Sequence, residues 1–315
     1  MTIKLHSAII FCMLLLPVIT TAAPQQDSIY SFAMGGDVSI TIDAPIQKKA
    51  THTILILFAL PNGNTTAQTM GKKLQPGDDW HFDIQHIRAQ TKFIRQQLQH
   101  SRVVVAYLEN TYKSWPAWRT KHADYIPVVQ HIVDTLYRLA GNKDIAVYLN
   151  GHSGGGRFIF SYLDGVEVIP PYIKRIGFLD SDYGYDSSYL PRLQQWLQKD
   201  KRNCLAVFAY NDSVVIYEGK PLVSPTGGTW YRSHLMLDQL SASFRFNKVR
   251  DDSLIAFQSR SRCIRFYFKT NPEGKIFHTT QVELNGFIHS VLCGTRYDSK
   301  RYTYYGARAY TNFIE

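Results

Sequence analysis

Residues 144–156 read DIAVYLNGHSGGG, and the amphipathic run RFIFSYL follows them. A short apolar run that breaks into glycines and then resumes with helical spacing is a strand, a tight turn and a helix. Four more runs resemble the first half: ILILFAL at 54–60, RVVVAYL at 102–108, IKRIGFL at 173–179 and CLAVFAY at 204–210. They are too short for helices and too continuously apolar for strands with one wet face, so they read as strands covered on both sides. Helical patterns fill the gaps at 84–99, 125–140, from Arg157, 189–199 and 229–243. This alternation predicts the α/β class, a three-layer fold with a mostly parallel sheet and helices on both faces. Residues 29–43 add one or two early strands, and runs at 262–268 and 277–284 are expected to complete the sheet. The stretches 109–124 and 215–230 read as loops over the sheet edge.

The composition fits a single domain. The chain has 315 residues, 45% hydrophobic and 19% charged, which excludes intrinsic disorder and supplies one large core. Residues 1–23 have the layout of a signal peptide: Lys4, an apolar run of about 12 residues, then small residues ending at Ala23. That leaves 24–315 as one domain, secreted or periplasmic, with no stable membrane anchor after cleavage. Loss of Lys4 takes the net charge from +10 to +9. A basic exported protein suits an anionic cell-wall or glycan surface. No nucleic-acid motif is present, no histidine or cysteine spacing suggests a metal, and no P-loop or G-x-G-x-x-G suggests a nucleotide. Cys204, Cys263 and Cys293 remain after the leader, enough for one disulfide and an odd thiol, whose pairing the sequence leaves open.

Gly151-His152-Ser153-Gly154-Gly155 matches G-x-S-x-G in the required context, between a buried strand and a helix. The turn lifts the Ser153 hydroxyl above the sheet edge, close to a helix N-terminus. On these residues the sequence resembles the α/β-hydrolase superfamily, with element order matching from about residue 50 to 292. The resemblance implies a serine hydrolase working through an acyl-enzyme, with no cofactor, and a triad in the order nucleophile, acid, histidine.

Carried onto this chain, Ser153 is the nucleophile and His289, after the expected last strand, is the base. His278 falls inside the expected strand at 277–284 and His234 inside a helix, so both read as structural. The acid is Asp212, after the fifth strand, or alternatively Asp180, after the fourth; Asp182 lies two residues on. The oxyanion hole takes one N–H from Gly154 and one from Asn62 or Gly63. His152 shapes the pocket. Tyr112, Trp115, Trp118, Tyr125 and Trp230 are candidates for stacking against substrate. The expected substrate is a small or polymer-linked ester, with a carbohydrate or cell-wall target in view. A peptidase or amidase needs the same triad, and an inactive hydrolase fold that binds glycan or protein is the third reading.

Overall fold

The computed structural model describes residues 27–35, 37–46, 50–141, 144–251, 253–261 and 263–315. The expected signal peptide lies outside the described residues. The first half of the chain supplies β1 (Asp27–Met34), β2 (Val38–Pro45), β3 (His52–Ala59), α1 (Thr66–Met70), α2 (Ile87–Gln97), β4 (Ser101–Asn110), α3 (Trp115–Lys121), α4 (Tyr125–Leu139) and β5 (Asp144–His152). Then come α5 (Gly156–Asp164), β6 (Ile173–Leu179), α6 (Leu190–Lys199), β7 (Cys204–Tyr210), the short strands β8 (Ile216–Tyr217) and β9 (Lys220–Pro221), and α7 (Gly228–Ser241). The chain closes with β10 (Phe246–Arg250), β11 (Leu254–Ser259), β12 (Ile264–Lys269), α8 (Thr280–Glu283) and α9 (Gly286–Leu292).

Ten strands form one sheet in the order β1-β2-β4-β3-β5-β6-β7-β12-β11-β10. The central β4, β3, β5, β6, β7 and β12 are parallel, and antiparallel strands finish both edges. The five apolar runs are β3 to β7, as their composition dictates. Side chains such as Ile56, Val105 and Leu205 have no exposure at all. Each such burial stabilises by roughly 1.5–3 kcal/mol.

Neighbouring residues of β6 show that the sheet is covered on both sides. A Cβ on Gly177 would lie 3.4 Å from Ser290 of α9, whereas the adjacent Phe178 ring stacks on Phe160 of α5 at 5.0 Å. Alternate residues of a strand face opposite ways, so α5 and α9 occupy opposite layers. Two expectations are corrected. Residues 277–284 form a turn and α8, not a strand, and the edge is completed by the β10–β11 hairpin instead. The stretch 109–124 contains α3, capped by Ser114, which accepts a hydrogen bond from the Ala117 N–H. No helix among the described residues is long and apolar enough to cross a membrane.

Because the central strands are parallel, their C-terminal ends share one edge. That edge collects 60–64 after β3, Ser153 after β5, Asp180 after β6, Asp212 after β7 and the 270–279 loop after β12. Ligand sites of open parallel sheets form at this edge.

Candidate active site

Ser153 follows the last residue of β5 and has φ 54°, in the left-handed region that a residue with a side chain adopts at a cost. Close packing holds it there. A Cβ on Gly155 would overlap the Ala59 carbonyl, and one on Gly156 the Ser181 carbonyl. Three successive glycines therefore let the turn and α5 press onto the ends of β3 and β6. The Ser153 hydroxyl has no hydrogen-bond partner among the described residues and is half-buried.

Beside it stands His152, fully enclosed. Its Nε2–H donates to the His278 carbonyl at 3.1 Å, which fixes the tautomer and leaves Nδ1 as a buried acceptor without a partner. Burial, reinforced by the neighbouring His278, pushes its pKa well below the usual histidine value, so it stays neutral. The two rings lie 4.7 Å apart. The residue before the serine thus tethers the loop that carries His278.

His278 is in a turn, not a strand, and follows β12, the last parallel strand. Its Nδ1 meets the fully buried Asp180 Oδ2 at 2.5 Å. With Nδ1 engaged, Nε2 is the nitrogen left to exchange a proton. Asp180 directly follows β6, its N–H donating to the Phe208 carbonyl at 2.8 Å, and takes φ 46°. Its other oxygen accepts from the Thr229 hydroxyl. The ring of Tyr183, an exposed residue, lies 6.4 Å from that of His278.

Asp212 does something else. Its Oδ2 accepts from the Thr229 N–H at 2.8 Å, so it caps the N-terminus of α7 from outside the helix. Gly228 makes room, since a Cβ there would sit against the carboxylate. Burial first, and the charge of Asp180 second, push the Asp212 pKa up to about 6. Asp182 is raised well above the carboxylate range by burial and bonds the Ser233 hydroxyl at 2.8 Å. Of the three buried carboxylates, Asp180 is the one that holds a histidine.

His289 forms no hydrogen bond with Ser153. It lies in α9, boxed by the rings of Phe208, Tyr267, Tyr302 and Tyr304, with Nδ1 2.9 Å from the Tyr302 hydroxyl. Asp298 is 3.9 Å away. Burial pushes its pKa down to about 3, so it is a neutral core side chain. The reading of His289 as a loop residue after the last strand is corrected: the last parallel strand is β12, and the histidine that follows it is His278.

The oxyanion candidates divide in the same way. The Gly63 N–H donates to the Lys113 carbonyl at 2.8 Å and is occupied. The Asn62 N–H has no partner among the described residues, and the Asn62 carboxamide lies against Gly154, where a Cβ would overlap it. Asn62 and Gly154 are therefore the pair that meet at the elbow.

Of the aromatic candidates, Trp115 and Trp118 are core residues, 2% and 0% exposed. Trp115 packs on Phe158 at 4.7 Å and on Trp118 at 5.3 Å. Tyr125 donates its hydroxyl to Asp164. Tyr112 is exposed and sits edge-on to His122. Trp230 packs on Phe268 and His234. None of these contacts is with Ser153 or His278, and Tyr183, which does meet His278, carried no sequence signal beyond following Asp180 by three. No cluster of ligating side chains fit for a metal occurs among the described residues.

No family model matches the chain, and no curated protein does. Solved structures do resemble it in overall fold. An uncharacterised protein from Capnocytophaga ochracea aligns over 84% of this chain and 64% of its own, with TM-score 0.45 and 10% identity. A poly(3-hydroxybutyrate) depolymerase from Bordetella parapertussis aligns over 92% of this chain and 95% of its own, with TM-score 0.46 and 10% identity. The feruloyl esterase module from Clostridium thermocellum aligns over 85% and 89%, with TM-score 0.43 and 12% identity. The parallel sheet, the covering helices on both faces and the strained serine between β5 and α5 make the fold that of the α/β hydrolases.

Proposed function

We propose that the protein is an exported serine hydrolase that cleaves a carboxylic ester with Ser153 as nucleophile, His278 as base and Asp180 as the acid that orients it. The observation that carries this reading is the His278–Asp180 contact at 2.5 Å on a loop tethered by His152, the neighbour of Ser153. In this reading His278 Nε2 takes the serine proton as Oγ attacks the carbonyl carbon. The imidazolium is stabilised by buried Asp180, and the proton then passes to the leaving alkoxide. The Gly154 and Asn62 N–H groups receive the oxyanion. Water repeats the sequence and releases the acid. No cofactor enters the scheme.

Exposed apolar side chains support a bulky or polymer-linked ester. Val214, Ile216 and Tyr217 follow Asp212, and Ile276 lies on the His278 loop. Asn271 of that loop bonds the Asn211 carbonyl at 2.9 Å, which joins the two segments. The basic charge supports an anionic polymer as the setting. The test is labelling by a fluorophosphonate, compared between wild type and Ser153→Ala, followed by p-nitrophenyl esters against aminoacyl anilides. Labelling that survives Ser153→Ala sinks the nucleophile; faster anilide than ester turnover moves the reading to a peptidase or amidase.

A further inference from the structure

Three buried thiols gather at the strand ends opposite Ser153. Cys204 opens β7, and Cys293 is the C-cap of α9. Cys263 precedes β12, its carbonyl accepting from the Leu205 N–H at 2.8 Å, so the register sets it across from Cys204. Arg175 of β6 is the Cα partner of Cys204 and is buried with them. Its guanidinium donates to the Ser290 carbonyl at 3.1 Å, the Cys293 carbonyl at 2.9 Å and the Cys293 Sγ at 3.3 Å, and lies 5.4 Å from the Tyr148 ring centre.

No carboxylate pairs with Arg175 among the described residues. A guanidinium does not shed its proton in a protein, and a buried cation needs a compensating charge. The ionisable atom that accepts a hydrogen bond from it is Cys293 Sγ. We infer that Cys293 is held as a thiolate against Arg175 and forms, with Cys204, a dithiol site that a hydroperoxide oxidises to a disulfide.

The surroundings agree with this assignment. Both cysteines border Arg175: Cys204 is its Cα partner in the sheet, and Cys293 accepts from its guanidinium at 3.3 Å. The Cys293 pKa is pushed down by the neighbouring Cys204 first, and by Arg175 and Arg265. The groups facing Cys293 are Cys204, Arg175, Arg265 and Asp298, with Tyr148, Tyr267 and Tyr302 around them. Asp298 is already paired with Arg265 at 2.7 Å, so Arg175 is the cation left for the thiolate. Cys263, one strand from Cys204, lines a groove of about 320 Å³ that also includes Lys201, Arg245 and Arg260.

The chemistry balances with hydrogen peroxide as oxidant. The Cys293 thiolate attacks one peroxide oxygen, the O–O bond breaks, and the departing hydroxide takes a proton from solvent to become water, giving a sulfenic acid. The Cys204 sulfur then attacks the Cys293 sulfur; the S–O bond breaks, and hydroxide takes the Cys204 proton as a second water. Two thiols are oxidised and one peroxide is reduced.

Two measurements test it. The reduced protein should show thiolate ultraviolet absorbance below about pH 8, where free cysteine is largely protonated, and Cys293→Ser should remove it. After peroxide treatment and alkylation in denaturant, peptide mapping should find Cys204 joined to Cys293, with Cys263 alkylated. Should Cys293→Ser fail to fold, Cys204→Ser substitutes for it: sulfenic acid should then accumulate on Cys293 and be trapped by dimedone. Thiolate absorbance unchanged in Cys293→Ser, a link that includes Cys263, or a Cys293 that stays reduced would each overturn the inference.

Discussion

Replacing Asp180 with Asn tests the site at its most buried contact. The carboxylate has no exposure and accepts the His278 Nδ1–H at 2.5 Å. An amide of the same shape keeps an oxygen for the Thr229 hydroxyl but can offer an N–H to Nδ1. The imidazole then carries its proton on Nε2, facing the serine, and cannot act as base. In a serine triad that tautomer change costs about 10⁴ in kcat, or about 5.5 kcal/mol of barrier. Asp212→Asn is the matched control. It keeps an oxygen to accept the Thr229 N–H and removes a charge that burial disfavours, so kcat should move by less than about tenfold. The assay is the acylation burst with p-nitrophenyl acetate, run beside the rate of fluorophosphonate labelling, after thermal melts show both variants folded. A loss of about 10³ or more in Asp212→Asn, with Asp180→Asn near wild type, would refute the assignment of the acid and make His278–Asp180 a structural pair.

Four further outcomes follow from the same geometry. His278→Gln should lose about 10³-fold or more in labelling rate. His289→Gln should label within about tenfold of wild type and lose about 1–3 kcal/mol of stability, because the Tyr302 hydroxyl loses its imidazole partner; urea melts measure the second quantity. The folded pKa of Asp212 lies above its unfolded value, so its contribution is fully present below about pH 4 and is lost as pH rises to about 6. The change is on the order of 3 kcal/mol, and Asp212→Asn should flatten that part of the stability–pH curve. Trp115→Ala should cost about 3–5 kcal/mol of stability and leave KM for a small ester unchanged, since Trp115 is packed on Phe158 and Trp118.

The strands β3 to β7 and the elbow were legible because each is a local pattern: a run of apolar residues, or glycines around a serine. The base was not. FHTTQVEL alternates apolar and polar residues with β-branched threonines and reads as a strand, yet it closes into a turn and α8. The last parallel strand is β12, and His278 is the histidine on the loop that follows it. The β10–β11 hairpin (FNKVR and LIAFQS) takes the sheet edge that the misread segment was expected to fill. The acid was left between Asp212 and Asp180 because both follow apolar strands by one or two residues; only the partner of each carboxylate, His278 or the α7 backbone, separates their roles.

What the sequence determined by itself was whatever depends on neighbours in the chain: the α/β class, the parallel core strands and the strained turn that presents Ser153. Tertiary structure decided which of several histidines and carboxylates meet, whether an N–H such as that of Gly63 is already taken, and that Trp115 fills core. The reason is physical. A backbone conformation is set within a few residues by sterics and apolar spacing, whereas a buried carboxylate–histidine contact is set by side chains such as Asp180 and His278, 98 positions apart, that approach only after the sheet has aligned its strand ends.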